Sequence, residues 1–166
     1  RMSIQEIRVP DGRKFVVPAD QGELPEPFAA LVTTGMRASS PEPFDPMEKA
    51  IHASWNLRNI ETASFHVIKE YPLGGIHPMM THVYQEANGT RIIATKGAPE
   101  GILQKSNLKS SEMETIQKSL KEMAARGHRV LAIGVGIYEN ECLPENQDAF
   151  TFEFLGLLAL NDPPKA

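Results

Sequence analysis

Arg91-Ile92-Ile93-Ala94-Thr95-Lys96-Gly97-Ala98-Pro99-Glu100 carries a strand, a turn and a helix start within ten residues. Its apolar first half has the composition of a strand. Gly97 permits a sharp turn where that strand ends at Lys96, and Pro99 is placed to open a helix. A mobile ammonium then stands beside a helix N-terminus, whose free N–H groups favour anions. A phosphate or carboxylate site is one reading of that geometry. An ordinary strand-turn-helix junction with a surface lysine is the other.

Just upstream, Asn88-Gly89 is the strongest hairpin signal in the chain and joins residues 91–95 back to a strand over 80–85. Residues 63–70 read as a further strand. Downstream, 99–104 reads as a short helix. Ser111 with Glu114 has capping-box spacing for a longer helix that ends at Gly127. Met113, Ile116, Leu120 and Met123 recur along it at helical spacing. Two apolar strands, 128–136 and 151–160, close the pattern.

At the other end, residues 3–9 alternate as a strand, Asp11-Gly12 reads as a two-residue hairpin turn, and 14–17 returns. A loop over 18–27 leads to a helix over about 26–38, which Ser39-Ser40-Pro41-Glu42-Pro43 breaks. Asp45 is a good N-cap, Pro46 suits a first turn, and Glu48 completes a capping-box-like arrangement for a helix running to Leu57 or Arg58. Hairpins and short connections imply an α+β fold, an antiparallel β-sheet of about six strands flanked by helices.

At 166 residues, with 41% hydrophobic and 23% charged residues, the chain reads as one globular domain that buries roughly two-thirds of its unfolded surface. A net charge of −4 argues against a nucleic-acid partner, which would call for a basic face. No apolar run approaches the ~20 residues that span a bilayer. The opening Arg1-Met2-Ser3-Ile4 runs straight into the alternating pattern, so no signal peptide is expected. The arginine before the first methionine suggests a piece of a longer protein. Cys142 stands alone, which fits a reducing setting, and the five histidines show no metal-ligand spacing.

Several separated landmarks carry a resemblance. Lys96-Gly97-Ala98-Pro99-Glu100 resembles the signature of the nucleotide-binding domain of P-type ATPases, the ATP-driven cation pumps. Asp45-Pro46-Met47-Glu48-Lys49-Ala50-Ile51 is similar to the family's D-P-x-E-x-A-L. Glu70-Tyr71-Pro72-Leu73 followed by Met80-Thr81, and Gly127-His128-Arg129-Val130-Leu131, resemble two further segments in the family's order. Asn161-Asp162-Pro163-Pro164-Lys165 resembles the D-P-P-R hinge, with lysine for arginine. The E-Y-P-L segment has the look of bacterial members.

The resemblance implies a single nucleotide-binding domain over 1–166, excised between the phosphorylation motif and a hinge at about 161–166. It implies ATP as ligand, with Glu48 at the adenine amino group and Lys96 deep in the pocket. Gly97 would let the nucleotide approach the backbone. Arg129 would contact sugar or phosphates, and Leu131 would line the pocket. Leu73 stands where the stacking phenylalanine is expected, so either Leu73 or Tyr71 covers the base. Gly75 and Pro78 occupy positions often basic in the animal pumps. Each residue also has a plainer reading: a helix cap for Glu48, core packing for Tyr71 and Leu73, a solvated strand position for Arg129.

By the same resemblance, the reacting aspartate and the magnesium ligands lie outside this chain. Its partners would be ATP, the phosphorylation and actuator domains and the transmembrane helices of a cytoplasmically exposed pump domain's parent. The fragment would bind ATP without hydrolysing it. The alternative is a non-catalytic interaction module that kept the fold and lost nucleotide affinity. A free-standing phosphatase or kinase is disfavoured, because the sequence shows no nucleophile-base pair, glycine-rich phosphate loop or metal triad.

Overall fold

The computed structural model describes residues 2–18, 23–56 and 65–161. Arg1, the expected helix end at Leu57 or Arg58, positions 63 and 64 of the expected strand and the hinge sequence Asp162-Pro163-Pro164-Lys165 lie outside them. Among the described residues, seven strands form one antiparallel sheet: β1 (Ile4–Arg8), β2 (Lys14–Val16), β3 (Phe65–Gly74), β4 (Met79–Glu86), β5 (Arg91–Gly97), β6 (Arg129–Ile137) and β7 (Glu153–Leu160). Their order across the sheet is β2-β1-β7-β6-β5-β4-β3. That is the expected α+β architecture, with seven strands where about six were expected.

Helices cover both faces. On one face α1 (Phe28–Arg37) and α2 (Pro46–Asn56) pack over β1, β5 and β6; on the other, α3 (Pro99–Gln104) and α4 (Ser110–Ala125) pack over β5, β6 and β7. Each face has its own core. Ile7, Leu31, Val32, Ile51, Ile133 and Leu158 fill the first, and Ile93, Ile102, Ile116, Met123, Phe152 and Leu157 the second. The alternation of β5 sends Ile93 to the second core and its neighbours to the first face, as a period of two requires. Among the described residues no helix is long and apolar enough to cross a membrane.

Three local expectations need correction. The β1–β2 connection has three residues: Gly12 N–H donates to the Val9 carbonyl, Val9 N–H to the Arg13 carbonyl, and Gly12 takes φ +94°. The β4–β5 hairpin repeats this geometry with Gly89 at φ +90°, so glycine serves as the left-handed third loop residue in both. Helix α4 begins at Ser110, and Glu112 Oε1 accepts the Lys109 N–H at 3.1 Å. Ser111 and Glu114 therefore lie inside the helix. A glutamate one turn in satisfies the orphan donor here, without a serine cap.

The third concerns Glu48. Asp45 Oδ1 does accept the N–H groups of Met47 (2.7 Å) and Glu48 (3.2 Å), so it caps α2 as expected. The Glu48 carboxylate makes other contacts. It accepts the Ser40 N–H and meets a lysine, an ion pair that outbids a return to the cap.

Candidate functional site

Strand β5 ends at Lys96 and Gly97, and helix α2 begins beneath the same face. The two elements bring Lys96 Nζ to 3.4 Å from Glu48 Oε2, with each residue only 7% exposed. Lys96 Nζ also donates to Met80 Sδ at 2.9 Å. Met80 sits opposite Lys96 in the β4–β5 ladder, so the sheet itself sets this contact. A thioether accepts weakly, which leaves the ammonium a capable donor. Glu48 Oε2 is held in turn by the Ser40 N–H at 2.7 Å. Burial lowers the Lys96 pKa from its ordinary 10.5, an effect that the nearby carboxylates of Glu48 and Asp45 partly oppose.

These groups face a cleft of about 560 Å³, within the range of small-molecule sites. Glu48, Lys96, Gly97, Leu73, Arg129 and Leu131 all line it. Asp45, Met80 and Val130 line it as well and are not among the site residues expected from the sequence. The period of two along β4 is the signal that finds Met80. The helix-cap position next to Glu48 is the signal that finds Asp45. Most of the lining is apolar, and Asp45, Glu48, Lys96 and Arg129 are its charged members.

Tyr71 is not part of this cleft. It is 4% exposed and belongs to the second core, where its ring meets Phe150 edge-on at 5.2 Å and its hydroxyl donates to the Pro144 carbonyl. Leu73, two residues along the same strand, would ordinarily share that face. The register prevents it. Tyr71 pairs with Thr81 but Gly74 pairs with Met79, so β3 carries one extra residue between them. Such a bulge re-aims a side chain, and Leu73 lies on the cleft side, 64% exposed. Gln147 bridges the bulge by donating to the Pro72 and Met79 carbonyls, and it accepts from Thr81. Pro72 is the sequence sign of this irregularity, because proline in a strand marks an edge or a bulge.

Gly97 lines the cleft, yet the reason for glycine there is packing within the protein. A Cβ at 97 would overlap the Pro78 carbonyl oxygen and Met79, and one at Gly101 would crowd His77. Ala98 N–H also donates to the Pro78 carbonyl at 2.8 Å. The turn between β5 and α3 is therefore the seat onto which the β3–β4 turn is pressed.

Fold and cleft together define an α+β domain in which the buried Lys96–Glu48 pair lines a largely apolar cleft. Residues 45–166 match the family described as P-type ATPase, cytoplasmic domain N, and the chain belongs to that family. It is 28% identical over 137 residues to the sodium/potassium exporting P-type ATPase cta3 of Schizosaccharomyces pombe, covering 73% of this chain and 13% of that protein. It is 29% identical over 126 residues to a probable cation-transporting P-type ATPase of Mycoplasma genitalium, covering 73% and 14% respectively. A calcium-transporting ATPase of Bacillus subtilis is 27% identical over 116 residues, 62% of this chain and 13% of that protein. The chain thus spans only 13–14% of the length of these relatives.

Proposed function

We propose that the cleft binds ATP by its adenosine end and that, in a full-length cation-transporting P-type ATPase, the domain carries the γ-phosphate to an aspartate of a neighbouring domain. The observation that carries this reading is the Lys96–Glu48 pair, nearly buried yet lining a cleft with aliphatic walls. A buried ion pair is an expensive way to stabilise a fold. At a cleft it gives a polar ligand one donor and one acceptor of fixed position.

Each residue then has a role. Glu48 accepts from the adenine amino group, Lys96 donates to the base or sugar, and Arg129 contacts sugar or phosphate. Leu73 and Leu131 cover the base, and Gly97 offers backbone at the floor. Tyr71 supports this wall from the other core and does not touch the nucleotide. The parent enzyme's phosphoryl transfer depends chiefly on positioning and charge neutralisation. This chain supplies the positioning, while the nucleophile and the magnesium ligands come from the neighbouring domain. Residues 1–166 act as one inserted unit, a reading supported by Ser3 and Asn161, whose hydrogen bonds of 2.6 and 3.1 Å hold those two positions side by side. Its partners are the phosphorylation and actuator domains and the membrane helices of the pump.

Covering ~100 Å² of adenine contributes about 2.5 kcal/mol at ~25 cal/mol per Å². One or two charged hydrogen bonds add ~1.5–3 kcal/mol each, and association costs at least ~4 kcal/mol. With two such bonds at the favourable end the balance is about 4.5 kcal/mol, an affinity in the high-micromolar to millimolar range. Competition titration with a fluorescent nucleotide tests this. ATP displaces the probe from wild type in that range, and Lys96→Ala weakens displacement about tenfold or more. An ATP-indifferent wild type would leave the interaction-module alternative standing.

A further inference from the structure

The cleft's lining contains aliphatic, charged and glycine residues but, among the described residues, no aromatic ring. Most described aromatics are buried: Tyr71, Tyr84, Phe150, Phe152 and Phe154 are each at most 4% exposed. Phe44 is the exception, 91% exposed and the most exposed aromatic side chain among the described residues. A phenyl ring left in water forgoes the burial that makes aromatic side chains worth placing.

Its position is also specific. Phe44 directly precedes Asp45, which lines the cleft, so the two Cα atoms are about 3.8 Å apart. The segment that carries it is anchored at both ends to the charged pair's own elements. Ser40 N–H donates to Glu48 Oε2 at 2.7 Å, and Asp45 Oδ1 accepts from Met47 and Glu48 at the start of α2. Between these anchors the ring is exposed. Exposed side chains change rotamer in picoseconds to nanoseconds, so the ring can swing without any rearrangement of the fold.

We propose that Phe44 is the aromatic cover of this cleft, a specificity-determining residue whose ring closes on the base of a bound nucleotide and presses it against the aliphatic wall of Leu73 and Leu131. This rests on the nucleotide reading of the same cleft. Stacking needs only the π-face that every base has. Phe44 therefore selects for the presence of a planar base, while Glu48 and Lys96 select among bases.

The test titrates ATP and adenosine into wild type, Phe44→Ala and Phe44→Trp, followed by NMR shifts. Phe44→Ala weakens both ligands by the same factor, about five- to tenfold for one lost stacking contact, with the melting temperature unchanged because the ring is exposed. Phe44→Trp restores binding, and its indole emission changes on addition of either ligand. Three results would overturn the proposal. Phe44→Ala binding both ligands like wild type would leave the cleft reading intact and remove Phe44 from it. A loss confined to ATP would place the effect at the phosphates. Failure of wild type itself to bind either ligand would defeat the underlying nucleotide reading.

Discussion

Lys96 Nζ stands 3.4 Å from Glu48 Oε2 at the point where strand β5 gives out and helix α2 begins, both residues nearly buried and both lining one cleft. They are 48 positions apart in sequence, and the antiparallel sheet with its overlying helices closes that distance.

The pair makes a pH prediction of definite sign. The folded Lys96 pKa lies below 10.5, chiefly through burial. Between its folded and unfolded values the unfolded chain binds more protons, so the Lys96 contribution to stability rises with pH across that window. Below the folded pKa the cost of the buried charge is constant. Chemical denaturation of wild type and Lys96→Met from pH 7 to 11 isolates it: the wild-type stability gains on the variant as pH climbs toward 10.5, then levels. A pH-independent difference would mean that the ammonium is not desolvated. ATP affinity falls over the same alkaline interval as the cation is lost.

Tyr71 and Leu73 separate structure from binding on one strand. Tyr71→Phe removes the hydroxyl that donates to the Pro144 carbonyl and costs about 1 kcal/mol of stability. ATP affinity does not change. Leu73→Ala, at a site 64% exposed, shifts stability by no more than ~0.5 kcal/mol and weakens ATP two- to threefold. Thermal melts and nucleotide titrations on the same samples check both halves. The reverse pattern would assign the base to Tyr71.

Gly97→Ala places a methyl group against the Pro78 carbonyl and Met79. Backbone cannot yield as a flexible side chain can, so the substitution costs about 3 kcal/mol. Urea unfolding measures it, and the NMR shifts of residues 77–79 move even without nucleotide. A neutral Gly97→Ala would mean that the turn gives way more easily than its packing implies.

Much of this was legible in the sequence because the signals are local. Pro99 opens α3, and Asp45 caps α2, since each needs only its own neighbours. Lys96 and Glu48 fell into one cleft because both sit at element ends that this topology brings together. Tyr71 and Leu73 could not be told apart, because the bulge between them is a property of pairing with β4 and of the Gln147 side chain contributed from position 147. Nor could Glu48 be freed from the capping role that its spacing suggested, because its true partners, Ser40 and Lys96, lie outside the helix. Gly97 carried the right residue type with a different reason, since the atoms that forbid a Cβ belong to the neighbouring hairpin.

The most direct measurement is a ¹⁵N–¹H NMR titration of the wild-type chain with ATP up to ~10 mM, since affinity is expected no tighter than high-micromolar. Saturable shifts at residues 45–48, 73, 96–98 and 129–131, absent at Tyr71 and lost in Lys96→Ala, are expected. A spectrum unmoved at those positions, or moved only on the α3–α4 face of the sheet, would rule this cleft out as the nucleotide site.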